Sequence, residues 1–231
     1  MPTAIARKIK FPTIADVQKR LGDIPEYRIL SFPAPGTATV QDLLDSSITN
    51  GRCCELVDGI LVEKAMGFRS DYIAFWIGFL IASFLRVNNI GAVTGSQSPI
   101  RFKLNLVRMP DVSFIRWDSV DDADEIENPA GAFLESPPDL AVEVLSPSNT
   151  RKEMETKLKE YARAGVELVW YVDPELKEVD AYPKGNKKRK KTYGVDGTLD
   201  GGEVLPGFTM PVAKIFQSRA PAKKPGKRGK K

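Results

Sequence analysis

One stretch of chain constrains the fold more than any other, because it has the pattern of a strand, a helix and a strand in succession. Residues 139–145 (DLAVEVL) are almost wholly apolar and short enough for a buried strand. Thr150 and Glu153 then form a capping-box pattern that begins a helix, and Gly165 is the residue type that ends one. A second apolar run, residues 168–172 (LVWYV), follows. A right-handed crossover of this kind predicts an α/β fold in which the helix covers one sheet face.

Patterns outside this unit predict further strands. The dipeptide Asp58-Gly59 joins two apolar runs in CCELVDGILVEK, which is a strong signal for a β-hairpin. Residues 100–106 alternate between apolar and polar side chains, which predicts one half-buried strand. Residues 111–117 (DVSFIRW) and 178–182 predict two more strands. Together these patterns indicate a mixed central β-sheet flanked by helices.

The run over residues 72–85 (YIAFWIGFLIASFL) is almost wholly apolar and has two readings. As a helix, its 14 residues would span only ~21 Å, which is short of the ~30 Å hydrocarbon core of a membrane. We therefore expect a buried core helix and no membrane contact, with a membrane-associated segment as the rival interpretation.

The net charge of +4 does not describe a basic globular surface. Seven basic residues lie in the tail at residues 219–231, and six more lie in residues 184–191 (KGNKKRKK). Without these two tracts, 21 basic residues remain against 30 acidic ones. We expect an N-terminal extension with a short helix over residues 1–38, a core domain over residues 39–217 and a disordered basic tail over residues 218–231.

The chain contains no histidine, and this excludes whole classes of chemistry. A Ser-His-Asp triad, a Cys-His dyad and histidine-containing zinc sites cannot form. Acid, base or metal chemistry must use Asp, Glu, Lys, Tyr or backbone carbonyls, which favours a hard metal ion such as Mg²⁺. Cys53 and Cys54 are adjacent, and we expect both to be reduced, as suits a cytoplasmic protein.

Acidic residues on predicted strands are the main candidates for a functional site. Glu143 interrupts a buried strand, where a carboxylate is costly unless it is paired or holds a metal ion. Asp111 begins the neighbouring strand, and Glu55 lies in the hairpin. Lys157 is about 10.5 Å along the helix from Thr150, which returns it to about the level of Glu143. Carboxylates with a lysine suit metal-assisted hydrolysis of a phosphodiester.

Each candidate also has an ordinary structural reading. Asp111 follows a proline and could be a turn residue, Glu143 and Glu55 could lie at sheet edges, and Lys157 could be a solvated helix lysine. Glu153 is interpreted as a helix cap. Only the joint arrangement of the four candidates favours a catalytic site.

The motifs in this order resemble the Uma-two family of endonucleases, within the PD-(D/E)XK nuclease superfamily. The matching segments span residues 39–216 and are CCELVDGILVE near 53, PDVSFI at 110, AVEVLSPSN at 141, Glu153, Lys157, Tyr161, GV at 165, VWYVDP at 169 and LPGF at 205. The chain departs from the family pattern at Cys54, Asn149, Glu153, Leu168 and Val169.

The resemblance implies a restriction-endonuclease-like core over residues 39–217. It implies Asp111, Glu143 and the backbone carbonyl of Val144 as ligands of Mg²⁺, with Mn²⁺ as an alternative metal. In the superfamily the lysine follows the acid by two residues, but that position is Leu145 here. Lys157 would be the relocated lysine, and Glu55 matches the acidic residue of the family's hairpin.

These inferences predict a metal-dependent endonuclease that hydrolyses DNA, with a homodimer expected from the habits of similar nucleases. The alternative is a catalytically inactive protein that keeps the nuclease fold and binds nucleic acid or another partner. Neither a recognition helix nor an aromatic stacking platform is evident from the sequence, so no target sequence is predicted.

Overall fold

The computed structural model describes residues 13–127 and 131–217, so the predicted tail over residues 218–231 lies outside it. The helices in the described residues are α1 (Ile14–Leu21), α2 (Val40–Leu44), α3 (Ser46–Thr49), α4 (Phe68–Leu85), α5 (Asp124–Glu127), α6 (Arg151–Ala164) and α7 (Ala213–Phe216). The strands are β1 (Cys54–Val57), β2 (Ile60–Glu63), β3 (Gly91–Thr94), β4 (Ile100–Lys103), β5 (Leu106–Arg108), β6 (Val112–Arg116), β7 (Leu140–Val144), β8 (Leu168–Asp173), β9 (Glu178–Pro183), β10 (Lys191–Tyr193), β11 (Thr198–Asp200) and β12 (Thr209–Pro211).

A six-stranded mixed sheet with the order β10-β9-β8-β7-β6-β3 forms the centre of the fold. Only β7 and β8 pair in parallel within it, because α6 crosses between them. Thr150 and Glu153 form the expected capping box at the start of α6, and Gly165 ends the helix with a φ of 96°. The predicted strand–helix–strand unit and the mixed α/β class are confirmed.

The two faces of the central sheet are covered by different helices. Ile77 and Ile81 of α4 pack with Val142 of β7 on one face. Leu158 and Tyr161 of α6 pack with Ala141 of β7 on the other. Because successive side chains of a strand point to opposite faces, Glu143 must point toward α6. The strand pattern therefore aims a carboxylate at the helix that carries Lys157.

A second sheet, with the order β2-β1-β5-β4, packs near α6. Its β1–β2 hairpin turns at Asp58 and Gly59, whose φ values of 50° and 79° give the two-residue turn that the sequence predicted. The ring of Phe102 in β4 lies 5.3 Å from that of Tyr161, measured between ring centroids. This contact brings the second sheet toward the same face of α6 that meets Glu143.

The N-terminal extension contributes to the core. Val17 and Leu21 of α1 pack with Ile60 of the hairpin. Gly22 passes so close to α6 that an added Cβ would lie 2.4 Å from the Glu153 nitrogen. Only glycine fits at this crossing, and its φ of 86° is also one that glycine tolerates best.

The prediction of one strand over residues 100–106 is wrong. The chain forms a hairpin there, in which β4 ends at Lys103 and β5 begins at Leu106. Leu104 is 58% exposed at the turn, although its place in the alternating pattern suggested an inward side chain. The alternation of apolar and polar residues continues across the turn between β4 and β5, so the sequence pattern did not reveal the turn.

Helix α4 begins one turn earlier than predicted and is buried along one face only. Its inner face, which includes Ile73 and Ile77, lies in the core, as expected. Its outer face exposes aromatic rings, with Phe75 64% exposed. Among the described residues, α4 is the helix whose length and apolar composition would also suit a membrane span, and 33% of it is buried. The sequence could not separate the two faces because both are apolar.

Candidate active site

Glu143 and Lys157 meet inside the protein, between the central sheet and α6. The Lys157 ammonium donates to both carboxylate oxygens of Glu143, with Nζ 3.2 Å from Oε1 and 3.1 Å from Oε2. The Tyr161 hydroxyl, one turn further along α6, also donates to Glu143 Oε1. Both the carboxylate and the ammonium are almost wholly buried. The Glu143 carboxylate therefore accepts hydrogen bonds from two side chains, which offset the free-energy cost of burying it.

Asp111 lies directly beside Glu143. Asp111 immediately precedes β6, whose Val112 pairs with Val142 of β7, and the Asp111 amide donates to the carbonyl of Val142, the residue before Glu143, at 2.8 Å. Asp111 Oδ2 accepts a hydrogen bond from the Val144 amide at 2.7 Å, which holds the aspartate against the backbone of β7. Its carboxylate is 14% exposed, so it is the most accessible of the four candidate side chains.

Glu55 approaches the same lysine from the second sheet. Its Oε1 lies 3.3 Å from Lys157 Nζ and also accepts a hydrogen bond from the Met109 amide. Its Oε2 accepts from Arg108 at 2.7 Å. Both oxygens are thus occupied by protein donors. Glu55 is suited to holding Lys157 in place.

Two basic residues of this site were missed by the sequence reasoning. Lys64 follows β2, and its Nζ lies 2.8 Å from Asp111 Oδ1 and 3.0 Å from the Ser96 carbonyl oxygen. Arg108 ends β5 and bridges Glu55 to Glu160 of α6, each at 2.7 Å. Lys64 and Arg108 are distant in sequence from the acids they contact, so no local sequence pattern indicated these ion pairs. The inward orientation of Arg108 was also hidden by the missed turn before β5.

The pKa values of the buried groups follow from burial and from their neighbours. Burial raises the pKa of Glu143, and the charge of Asp111 raises it further against the opposing effect of Lys157. Burial would lower the pKa of Lys157, but the charges of Glu143 and Glu55 raise it above its ordinary value. Burial would also raise the pKa of Glu55, yet Lys157 and Arg108 hold it well below its usual range. Lys157 is therefore a permanent cation at neutral pH.

The residues around Asp111 can be compared with what a metal ion needs. Within residues 13–127 and 131–217, no three or more Asp, Glu or Cys side chains come together as a metal site. An ion held by Asp111 and Glu143, alongside the nearby Val144 backbone, would displace donors that now hold their oxygens. These donors are Lys64 and the Val144 amide at Asp111, and Lys157 and Tyr161 at Glu143. The oxygen-only set of the two carboxylates and the backbone fits Mg²⁺, which is commonly held by one or two carboxylates together with water and substrate phosphate.

Two cavities lie near the site, and of the four candidate residues Asp111 lines the smaller one and none lines the larger. A cavity of about 380 Å³ is lined by Asp111 and Lys64 and opens the site to solvent. A cavity of about 850 Å³ lies between α6 and the ends of β8 and β9, where Tyr171 and Tyr182 line it. Gly67 and Ser70 line both cavities. We assign the chemistry to the smaller cavity because Asp111 is there.

Glu153 has a larger role than the predicted helix cap. It completes the capping box with Thr150, and it also receives a two-point ion pair from Arg28 of the N-terminal extension, at 3.0 and 2.7 Å. Arg28 further donates to the backbone carbonyls of Glu63 and Ser148. The extension is thereby fixed to the first turn of α6, one turn before Lys157.

The stability that Glu153 contributes should depend on pH. Burial would raise its pKa, but the hydrogen bond from Arg28 lowers it below the ordinary value of 4.5. Its contribution is then present above about pH 4.5 and lost as the pH falls through the folded-state pKa. Glu153→Gln, which keeps the cap, should lower the free energy of unfolding by about 2 kcal/mol at neutral pH.

Urea unfolding of both proteins at about pH 7 and about pH 3 measures this difference, and we expect it to shrink at the lower pH. An equal difference at both pH values would show that the ion pair with Arg28 is not its source.

Comparison with known proteins supports the resemblance noted from the motifs. The family model Uma2, described as "Putative restriction endonuclease", matches residues 40–213, which include all four candidate residues. No curated protein matches the chain. Among solved structures, "a putative nuclease belonging to DUF820 from Anabaena variabilis" is 17% identical. The match covers 71% of this chain and 89% of that one, with a TM-score of 0.61, and at this identity it shows the fold.

Proposed function

Because the chain belongs to the Uma2 family, described as "Putative restriction endonuclease", we propose that it is a metal-dependent endonuclease that hydrolyses phosphodiester bonds of DNA. One observation carries the proposal: Asp111 and Glu143 lie side by side with Lys157 against Glu143. Buried carboxylates beside a fixed cation suit a reaction in which negative charge develops on a phosphate.

The metal ligands in this proposal are Asp111, Glu143 and the carbonyl of Val144, with Mg²⁺ as the ion and Mn²⁺ as an alternative. A bound ion would polarise a phosphoryl oxygen and lower the pKa of a water molecule. Asp111 is already oriented by the Val144 amide and by its ion pair with the buried Lys64.

Lys157 would act as a fixed positive charge. Since its pKa is raised by Glu143 and Glu55, it stays protonated and cannot serve as a general base near neutral pH. Its ammonium can offset charge in the transition state or orient the attacking water. Glu55 would be a positioning residue, because it holds Lys157 and is itself held by Arg108.

Part of the basic tract at residues 184–191 lies close to this site. Lys187 and Lys190 line the larger cavity, which shares Gly67 and Ser70 with the cavity beside Asp111. Both lysines are paired with acidic residues, whereas Lys188, Arg189 and Lys191 are exposed and have no ion pair within the described ranges. These three side chains of the tract are available to contact the phosphates of DNA.

Cleavage of supercoiled plasmid DNA tests the proposal. We expect nicked product with Mg²⁺ or Mn²⁺ and none in EDTA, because water and phosphate are activated only when the carboxylates hold an ion. A parallel reaction with RNA of matched length shows whether the substrate is DNA. Salt-sensitive binding without cleavage in any metal would contradict the enzyme and support the inactive, nucleic-acid-binding alternative.

Two expectations from the sequence remain predictions. No feature of the described residues tests the homodimer or the cytoplasmic location. Cys54, in the hairpin, should have an unreactive thiol, because burial raises its pKa to about 11.

A further inference from the structure

An exposed aromatic ring stands at the mouth of the cavity beside Asp111. Phe68 is the first residue of α4, lines this cavity together with Asp111 and Lys64, and is 90% exposed. Met66, which lines the same cavity, is also largely exposed. Large apolar side chains at the rim of a cavity are suited to a partner that has a flat apolar face.

The ring of Phe68 is open to solvent. The ring of Tyr72, one turn along α4, lies 6.4 Å from it between centroids and at an interplanar angle of 15°. Since Phe68 is 90% exposed, this near-parallel neighbour covers little of its surface and leaves a ring face available. The aromatic side chains further along the helix, such as Phe75, are exposed but do not line the cavity.

The carboxylates themselves are recessed. Asp111 is only partly accessible, and Glu143 and Lys157 lie deeper, each less than 7% exposed. A scissile phosphate must therefore enter the cavity to reach them. Distorting a duplex to bring one phosphate into such a recess costs free energy, whereas a single strand has no duplex to distort.

We propose that Phe68 stacks on an unpaired base next to the scissile phosphate, so that the protein prefers single-stranded nucleic acid to duplex. This inference rests on the proposed phosphodiesterase function of the Asp111 site. Both faces of a base in a duplex are already stacked, so Phe68 could reach one only after unstacking it. A base in a single strand offers its π-face at no such cost, and stacking on an aromatic side chain tolerates any sequence.

Binding of fluorescently labelled oligonucleotides tests the proposal without cleavage. Anisotropy would be measured in EDTA for a single strand and for a blunt duplex of the same length. We expect the single strand to bind about 10-fold more tightly to the wild type, and Phe68→Ala to lose about 10-fold on the single strand with little change on the duplex. Phe68→Trp should retain the preference, and Phe75→Ala, on the same helix and outside the cavity, should behave as wild type.

Other results would overturn it. If Phe68→Ala weakens binding of the single strand and the duplex equally, or weakens neither, Phe68 does not distinguish single-stranded from double-stranded nucleic acid. Self-association that Phe68→Ala abolishes, with oligonucleotide binding unchanged, would assign the ring to a protein interface. Absence of cleavage with any metal would remove the proposed nuclease activity, but the anisotropy contrast between Phe68→Ala and Phe75→Ala would still decide the stacking role.

Discussion

Asp111→Asn is expected to reduce metal-dependent cleavage by roughly 100-fold or more, because it removes one of two carboxylates that would hold the ion. The amide oxygen can still accept from the Val144 amide, so the local backbone should persist. Lys64 loses its charged partner but keeps the Ser96 carbonyl, which limits the expected loss of stability to about 1–3 kcal/mol. Plasmid nicking rates with Mg²⁺ measure the effect.

Asp58→Asn is the matched control for this change. Asp58 lies in the hairpin turn with a positive φ that asparagine tolerates, and among the described residues its ion pair is with Arg20 at the surface. The control should cleave at the wild-type rate. If Asp111→Asn retains wild-type activity while its circular dichroism is unchanged, Asp111 is not a ligand in the reaction.

Arg108→Met is expected to cause the largest loss of stability, about 3–5 kcal/mol. The change leaves Glu160 and one oxygen of Glu55 buried without their guanidinium partner. For a domain of this size, that loss would lower the melting temperature by roughly 6–20 °C. Urea unfolding and thermal melts provide the two measurements.

A surface ion pair provides the contrast. Arg101 pairs with the largely exposed Glu135, and Arg101→Met should cost about 1 kcal/mol or less. Combining Arg108→Met with Glu160→Met should recover part of the loss, since the buried charge is then removed with its partner. Similar losses for Arg108→Met and Arg101→Met would mean that burial does not decide the strength of these pairs.

The local parts of this fold were predictable from the sequence. Capping boxes, the Asp58-Gly59 turn and apolar runs are short-range signals, and the helix and strands from 139 to 173 follow them closely. The contact of Lys157 with Glu143 was also predictable, because helix rise and strand rise fix their relative height.

The partners that arrive from elsewhere in the chain were not predictable. Arg28, Lys64 and Arg108 are each far in sequence from the acids they neutralise, and a single sequence carries no periodic trace of such pairs. The aromatic face at Phe68 was hidden for a different reason. When both faces of a helix are apolar, periodicity cannot show which one meets the core.

The bond between the N-terminal extension and α6 bears on how this protein relates to its family. The matched region begins at residue 40, yet Glu153 inside it depends on Arg28 outside it. The folding unit therefore begins before the family match does. A chain trimmed to residues 40–213 would lose Arg28 and leave Glu153 of α6 buried without its cation.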